Sequence, residues 1–264
     1  HCRLRRQRQM CIRDRLNNSQ KSSLIIKHEH DVTSLCLNQP NKLNALTSEM
    51  VELMISGLAE AVDRGTKLVI IKGEGRAFSA GFDLSNIDKQ SDADLLYRFV
   101  RIEQLLQILY QLPITSLALV KGKCFGAAAD IVSVCKHRIA SPESSFRMPG
   151  LQFGIVLGTR RLAKLIGGDK ANEFLETSKI FSADEGLKSK FLTEINLEEN
   201  WPQIIQNITK NATNLSLDSK MNLLKEIRDD SQLDNDLATL VRSAMQPGLA
   251  KRIQDFVKTQ IRQK

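Results

Sequence analysis

The stretch from Leu117 to Arg161, LALVKGKCFGAAADIVSVCKHRIASPESSFRMPGLQFGIVLGTRR, constrains the fold more than any other part of the chain. Leu117-Ala118-Leu119-Val120 is an unbroken apolar run and predicts a buried strand. Gly122 breaks it. Gly126-Ala127-Ala128-Ala129 then opens a segment of very small side chains that runs on into Asp130, Ile131, Val132, Val134 and Cys135. Small residues at a strand-to-helix turn let a ligand approach the backbone closely. The first amides of the helix that follows have no intrahelical partner and lie at its positive end. Such a turn can receive an anion, or an oxygen that becomes one during a reaction. Asp130 lies one turn into this helix, and no other acid follows until Glu143.

A second loop of the same kind lies upstream. Leu68-Val69-Ile70-Ile71 predicts a strand, and KGEGRAFSAGFDL (Lys72 to Leu84) follows it. Phe78 stands at the third glycine position of a dinucleotide fingerprint, and no Gly-Lys-Ser/Thr follows, so neither nucleotide motif fits. Two small-residue loops, each after a strand, predict two backbone amides arranged as an oxyanion hole.

The pair AFSAGFDL (Ala77 to Leu84) and VKGKCFGAAADIV (Val120 to Val132) resembles the crotonase, or enoyl-CoA hydratase/isomerase, superfamily. LNQPNKLNAL (Leu37 to Leu46), FRMPGLQFGIVLGTRRLAKLIG (Phe146 to Gly167) and FSADEGLKSKFLTEI (Phe181 to Ile195) are similar to further segments of that family, in the family's order. The resemblance implies an α/β fold with a ββα superhelical (spiral) core over residues 16–200. A helical region over 201–264 is implied to join subunits and to close the active site. It implies an acyl-CoA substrate, with coenzyme A as part of the thioester and no bound cofactor or metal. A homotrimer or a hexamer built as a dimer of trimers is also implied, in fatty acid metabolism.

The family's shared step is stabilisation of a thioester enolate. By position, the oxyanion amides are those of Phe82 and Ala127, where the family more often has glycine at the second place. Lys42, Leu43, Ala77, Ala80, Asp83 and Leu84 are the positions implied to meet coenzyme A. For Asp83, loop bracing is expected rather than catalysis, and Phe256 and Lys258 are matched loosely to the adenine end. Hydratases of the family use two glutamates. Asp130 stands at the first of these positions, one methylene shorter, which displaces the carboxylate by roughly 1 Å. Gly150 stands at the second and supplies no acid. Arg147, Gln152, Thr159 and Arg160 are polar residues near that gap, and spacing does not choose among them. The expected activity is hydration or double-bond isomerisation of an enoyl-CoA, with Asp130, Phe82 and Ala127 carrying the chemistry. The alternatives are thioester hydrolysis, decarboxylation or C–C cleavage on the same scaffold, or a catalytically silent acyl-CoA-binding protein.

The first fifteen residues, HCRLRRQRQMCIRDR, read differently from the rest and resemble translated adaptor sequence more than a basic presequence. Their six Arg and one Asp supply +5 of the formal net charge of +8, leaving +3 for the remainder. That balance argues against a nucleic-acid partner. No apolar run approaches the ~20 residues that span a bilayer, so no membrane association is expected. Cys36, Cys124 and Cys135 sit among apolar residues without a CxxC pair, which predicts reduced core thiols and a cytoplasmic protein. His28-Glu29-His30 reads as a solvated turn because no third metal ligand is suitably spaced. His137 reads as structural.

Local patterning predicts two antiparallel strands within Ser23–Leu37 and a helix over Thr47–Arg64 stopped by Gly65. A mostly helical segment is expected over Leu84–Gln111, a short strand at 136–140, a helix from Gly158 to about Gly167, and helices only after Pro202.

Overall fold

The computed structural model describes residues 22–228 and 230–262. The basic segment 1–15, with Cys2 and Cys11, lies outside the described residues.

The chain opens with an antiparallel pair, β1 (Leu24–Glu29) and β2 (Val32–Leu37), in which Leu24 faces Leu37. Helix α1 (Ser48–Asp63) follows. Thr47 caps it by accepting from the Met50 amide at 3.2 Å, and Val51, Met54 and Leu58 form its buried stripe.

A unit of strand, short strand and helix then recurs three times. The first is β3 (Leu68–Gly73), β4 (Ala77–Ser79) and α2 (Asp92–Gln111); the second is β5 (Thr115–Val120), β6 (Lys123–Phe125) and α3 (Ala127–Val134). The third is β7 (His137–Ala140), β8 (Ser145–Arg147) and α4 (Thr159–Ile166). The first strand of each unit joins one sheet and the second joins another. Closing strands β9 (Phe181–Ser182) and β10 (Glu194–Ile195) complete them. The large sheet runs β1-β2-β3-β5-β7-β10 and is parallel from β2 onward. The small sheet runs β4-β6-β8-β9, with only β9 antiparallel. This is the ββα spiral that the family resemblance implied.

The central strands are apolar on both faces because both faces are covered. Val69, Ile71, Ala118 and Val120 point into the main core. Leu68, Ile70, Leu117, Leu119 and Ile139 point the other way, against Trp201 and Ile208 of α7 (Trp201–Ala212).

The remaining helices are α5 (Gly168–Thr177), α6 (Ala183–Lys188), α8 (Leu217–Ile227), α9 (Leu233–Ala244) and α10 (Leu249–Arg262). α9 packs on α2, and α10 is tied to the start of α2 through Asp92, whose carboxylate accepts from the amides of Leu249 at 3.0 Å and Ala250 at 2.8 Å. The last helix therefore docks on its own chain, against α2 and the turns at 87–89 and 150–153.

One local expectation is corrected. The helix expected over Leu84–Gln111 begins only at Asp92, because Ser91 and Asp94 form a reciprocal capping box there; residues 87–89 make a separate 3-10 turn. The helix expected from Gly158 to about Gly167 is present as Thr159–Ile166, and Gly167 (φ 87°) then turns the chain straight into α5. Among the described residues, no helix is long and apolar enough to cross a membrane.

Candidate active site

The two small-residue loops meet. Gly81 (φ 82°) packs so closely that a Cβ there would lie 2.3 Å from the Phe125 carbonyl oxygen and 3.2 Å from the Ala127 nitrogen. The upstream loop, Lys72 to Leu84, is braced from both sides: Leu46 donates to the Gly81 carbonyl at 2.7 Å, and Asp83 donates back to the Leu46 carbonyl at 3.3 Å. The downstream one turns at Gly126 (φ 57°), whose amide bonds to the Arg147 carbonyl at 2.7 Å. These bonds leave the amides of Phe82 and Ala127 over. Neither donates to another described residue, and both residues line the same cavity. The side chains hold rather than react: the Phe82 ring stacks on Phe99 at 4.2 Å, with the Arg98 guanidinium 4.0 Å from its centroid. Arg98 also donates to the Asp83 carbonyl at 2.8 Å and fixes the loop.

The cavity has a volume of about 70 Å³ and is mainly apolar. Phe99, Phe153 and Phe256 build one wall, Phe153 and Phe256 meeting at 5.1 Å. Phe256 thus belongs to the cavity around Asp130, while Lys258 lies exposed beside Asp255. Two cavity-lining oxygens are enclosed and have no hydrogen-bond partner among the described residues, Asp130 Oδ1 and Thr159 Oγ1.

Asp130 sits on α3, a helix buried along its whole length, and is itself only 4% exposed. Burial pushes its carboxyl well above the ordinary carboxylate range; Arg161 opposes this and Glu103 adds to it. Behind it lies a buried charge cluster. Arg161 donates to both Glu103 oxygens at 2.8 and 2.6 Å and to Asp236 at 2.9 Å, and Arg160 pairs with Asp236 at 2.8 and 2.7 Å. Burial opposes the Arg161 charge, but its bonds to Glu103 and the charges of Glu103, Asp236 and Asp130 hold its pKa above the ordinary value.

Gly158 is the cap of α4 and touches the carboxylate: a Cβ there would lie 2.2 Å from Asp130 Oδ1. Its φ of 65° also disfavours a side chain. Gly158→Ala is expected to cost about 1–2 kcal/mol of stability from the backbone and to lower kcat by about 100-fold through displacement of the carboxylate. Gly65 (φ 69°) has nothing within 4 Å of its Cβ position, so Gly65→Ala carries the same strain and keeps full activity. Comparing Tm and kcat of the two variants separates strain from displacement.

Gly150, which supplies no acid, lines the cavity. Its Cβ position lies 3.0 Å from the Ile155 carbonyl oxygen, and the Ile155 amide bonds back to Gly150 at 2.9 Å. The turn is closed so tightly that a side chain fits only if the backbone gives by a few tenths of an ångström.

Of the positions implied to meet coenzyme A, Ala80 and Leu84 line the cavity. The Leu43 carbonyl accepts from the Ala80 amide at 2.8 Å. Lys42 is exposed, and Ala77 is buried with its carbonyl held by Asn44 at 2.9 Å. Asp83 accepts from the Ser85 amide and hydroxyl, a bracing arrangement. Glu143 is exposed, and neither it nor His137 lines this cavity. Sequence reasoning missed Gly158 as a packing partner of Asp130, and Glu103 and Arg161 as a buried pair. The glycine directly before a helix start was the available signal for the first; the charged pair lies 58 residues apart and gave none.

The family model described as enoyl-CoA hydratase/isomerase matches residues 27–257. Human enoyl-CoA hydratase domain-containing protein 3, mitochondrial, is 30% identical over 232 residues, covering 84% of this chain and 75% of the human protein. A solved structure from Bordetella parapertussis, assigned provisionally as an enoyl-CoA hydratase/isomerase, is 42% identical with a TM-score of 0.87, over 89% of this chain and 98% of its own. An enoyl-CoA hydratase from Bacillus halodurans, at 20% identity and a TM-score of 0.79 over 89% of this chain and 100% of its own, shares the fold.

Proposed function

The chain belongs to the enoyl-CoA hydratase/isomerase family and is an enzyme of that type, and we propose that it stabilises the enolate of an acyl-CoA thioester and moves one proton through Asp130. The observation that carries this is the convergence of two unpaired amides and one enclosed carboxyl on a single apolar cavity. In this reading the thioester oxygen lies against the Phe82 and Ala127 amides. Negative charge that develops there meets donors already in place. Asp130 takes a proton and returns it, which suits hydration or double-bond isomerisation. Its raised pKa makes it a stronger base than an exposed carboxylate. Coenzyme A is part of the substrate, held by the loop from Ala77 to Leu84 and by Lys42 and Leu43.

The amide can be tested without touching a side chain that reacts. Ala127 is the first residue of α3, the helix position that tolerates proline. Ala127→Pro removes the N–H and is expected to lower kcat by about 10²–10³-fold, or about 2.7–4 kcal/mol. Ala127→Gly keeps the N–H and keeps the rate. Equal activity in both variants would contradict the assignment.

Assembly as a homotrimer or a dimer of trimers belongs to the same reading. It is supported by α8, which has no buried residue and exposes Leu217, Leu223 and Ile227. A cytoplasmic location rests on the buried free thiols of Cys36, Cys124 and Cys135. One observation favours a second reading, silent acyl-CoA binding: Gly150 leaves the site with a single carboxyl. Turnover of any enoyl-CoA by the parent protein excludes it.

A further inference from the structure

We propose that Thr159 is a water-positioning catalytic residue: its hydroxyl and the Asp130 carboxylate together hold the water that adds to the β-carbon, which makes hydration the reaction of this site. The inference rests on the enolate reading above and names its co-substrate.

The structure separates the polar residues that stand near the missing acid. Arg147 is spent on the Ser178 carbonyl at 2.8 Å and on Gln260. Gln152 receives Arg147 at 3.4 Å. Arg160 is bidentate to Asp236. Thr159 alone of the four has an enclosed side-chain oxygen without a partner, and that oxygen belongs to a cavity-lining residue. It follows Gly158, the residue whose backbone lies against Asp130 Oδ1, and Asp130 Oδ1 is the other unpartnered oxygen of the cavity.

Both groups are costly to bury without a partner, and one bound molecule satisfies both. A water that donates one hydrogen to Asp130 and the other to Thr159 Oγ1 has two of the polar partners that an enclosed water needs. It requires about 10–15 Å³ of the roughly 70 Å³ present.

The step balances with one carboxylate. The water oxygen bonds to Cβ as its proton passes to Asp130. The Cα=Cβ pair moves to Cα and the thioester oxygen, and Asp130 then returns that proton to Cα. Hydroxyl and hydrogen are added, and the carboxylate is regenerated. Thr159 keeps its own proton and fixes the direction of attack.

The test compares parent, Thr159→Val and Thr159→Ser in two assays on the full chain. One follows hydration of a short trans-2-enoyl-CoA. The other follows exchange of the C2 protons of the saturated acyl-CoA in D2O, which needs the amides and Asp130 but no attacking water. Thr159→Val is expected to lower hydration kcat by about 10- to 100-fold, with exchange within a few-fold of parent and hydration largely rescued in Thr159→Ser. Unchanged hydration in Thr159→Val overturns the proposal, as does equal loss in both assays, which marks a structural role. A parent that exchanges but does not hydrate overturns the water site and leaves the enolate reading standing. A parent that does neither overturns both.

Discussion

Asp130→Asn is expected to lower turnover of a short trans-2-enoyl-CoA by about 10²–10⁴-fold, the usual contribution of a positioned acid–base group, with the Kd for acyl-CoA nearly unchanged. The amide of Asn fills the same space and cannot carry a proton. Because burial raises the Asp130 pKa, the parent's kcat rises with pH through a limb above the ordinary carboxylate range, and the variant's residual rate lacks that limb. Stability moves the other way. A carboxyl whose folded pKa lies above its unfolded value contributes fully below the unfolded pKa, about 3.9, and loses that contribution as pH rises through the folded one. The difference in Tm between Asp130→Asn and parent therefore grows in favour of the variant across that window. Thermal melts at several pH values alongside kcat measure both effects. A variant that is less active and equally pH-dependent in stability would show that Asp130 is not the buried titrating group.

Arg161→Met is expected to destabilise the fold by about 3–5 kcal/mol, because it leaves the carboxylate of Glu103 buried without its partner. Glu103 is 1% exposed and Arg161 2% at their side chains, so water cannot replace either. For a chain of this length the loss corresponds to a fall in Tm of roughly 6–20 °C. Glu103→Leu combined with Arg161→Met removes both charges and is expected to recover most of it, since a well-packed apolar pair often matches a buried ion pair. The Arg161 charge also holds the Asp130 pKa down, so in Arg161→Met the acid limb of kcat moves to higher pH. Double-mutant melts check the first point and pH–rate profiles the second.

The central strands of the large sheet were legible because they are apolar runs with turn residues after them, as in Leu68–Ile71 and Leu117–Val120. The small sheet was not. Its strands have two or three residues, too few to show alternation, and pairings such as Phe146 with Phe181 join parts distant in sequence. The same division runs through the site. Phe82 lies in a loop, and Ala127 and Asp130 lie at the start of a helix, where the glycines and alanines are visible in the sequence. The choice of Thr159 among four polar neighbours needed hydrogen-bond partners supplied by Ser178, Asp236 and Gln260. The absence of an acid at Gly150 is visible in the sequence, and the structure puts that glycine in the cavity wall. The tight turn onto Ile155 that favours glycine there depends on backbone geometry and left no trace in composition.

In the proposed function this cavity makes a thioester enolate with Asp130 as its proton carrier. Proton NMR of a short saturated acyl-CoA in D2O, with parent and Asp130→Asn at equal concentration, tests it before any choice between hydration and isomerisation. Loss of the C2 proton signal is expected with parent protein and none above background with the variant. Exchange that survives in Asp130→Asn, or a parent that binds the thioester and leaves its C2 protons in place, would contradict it.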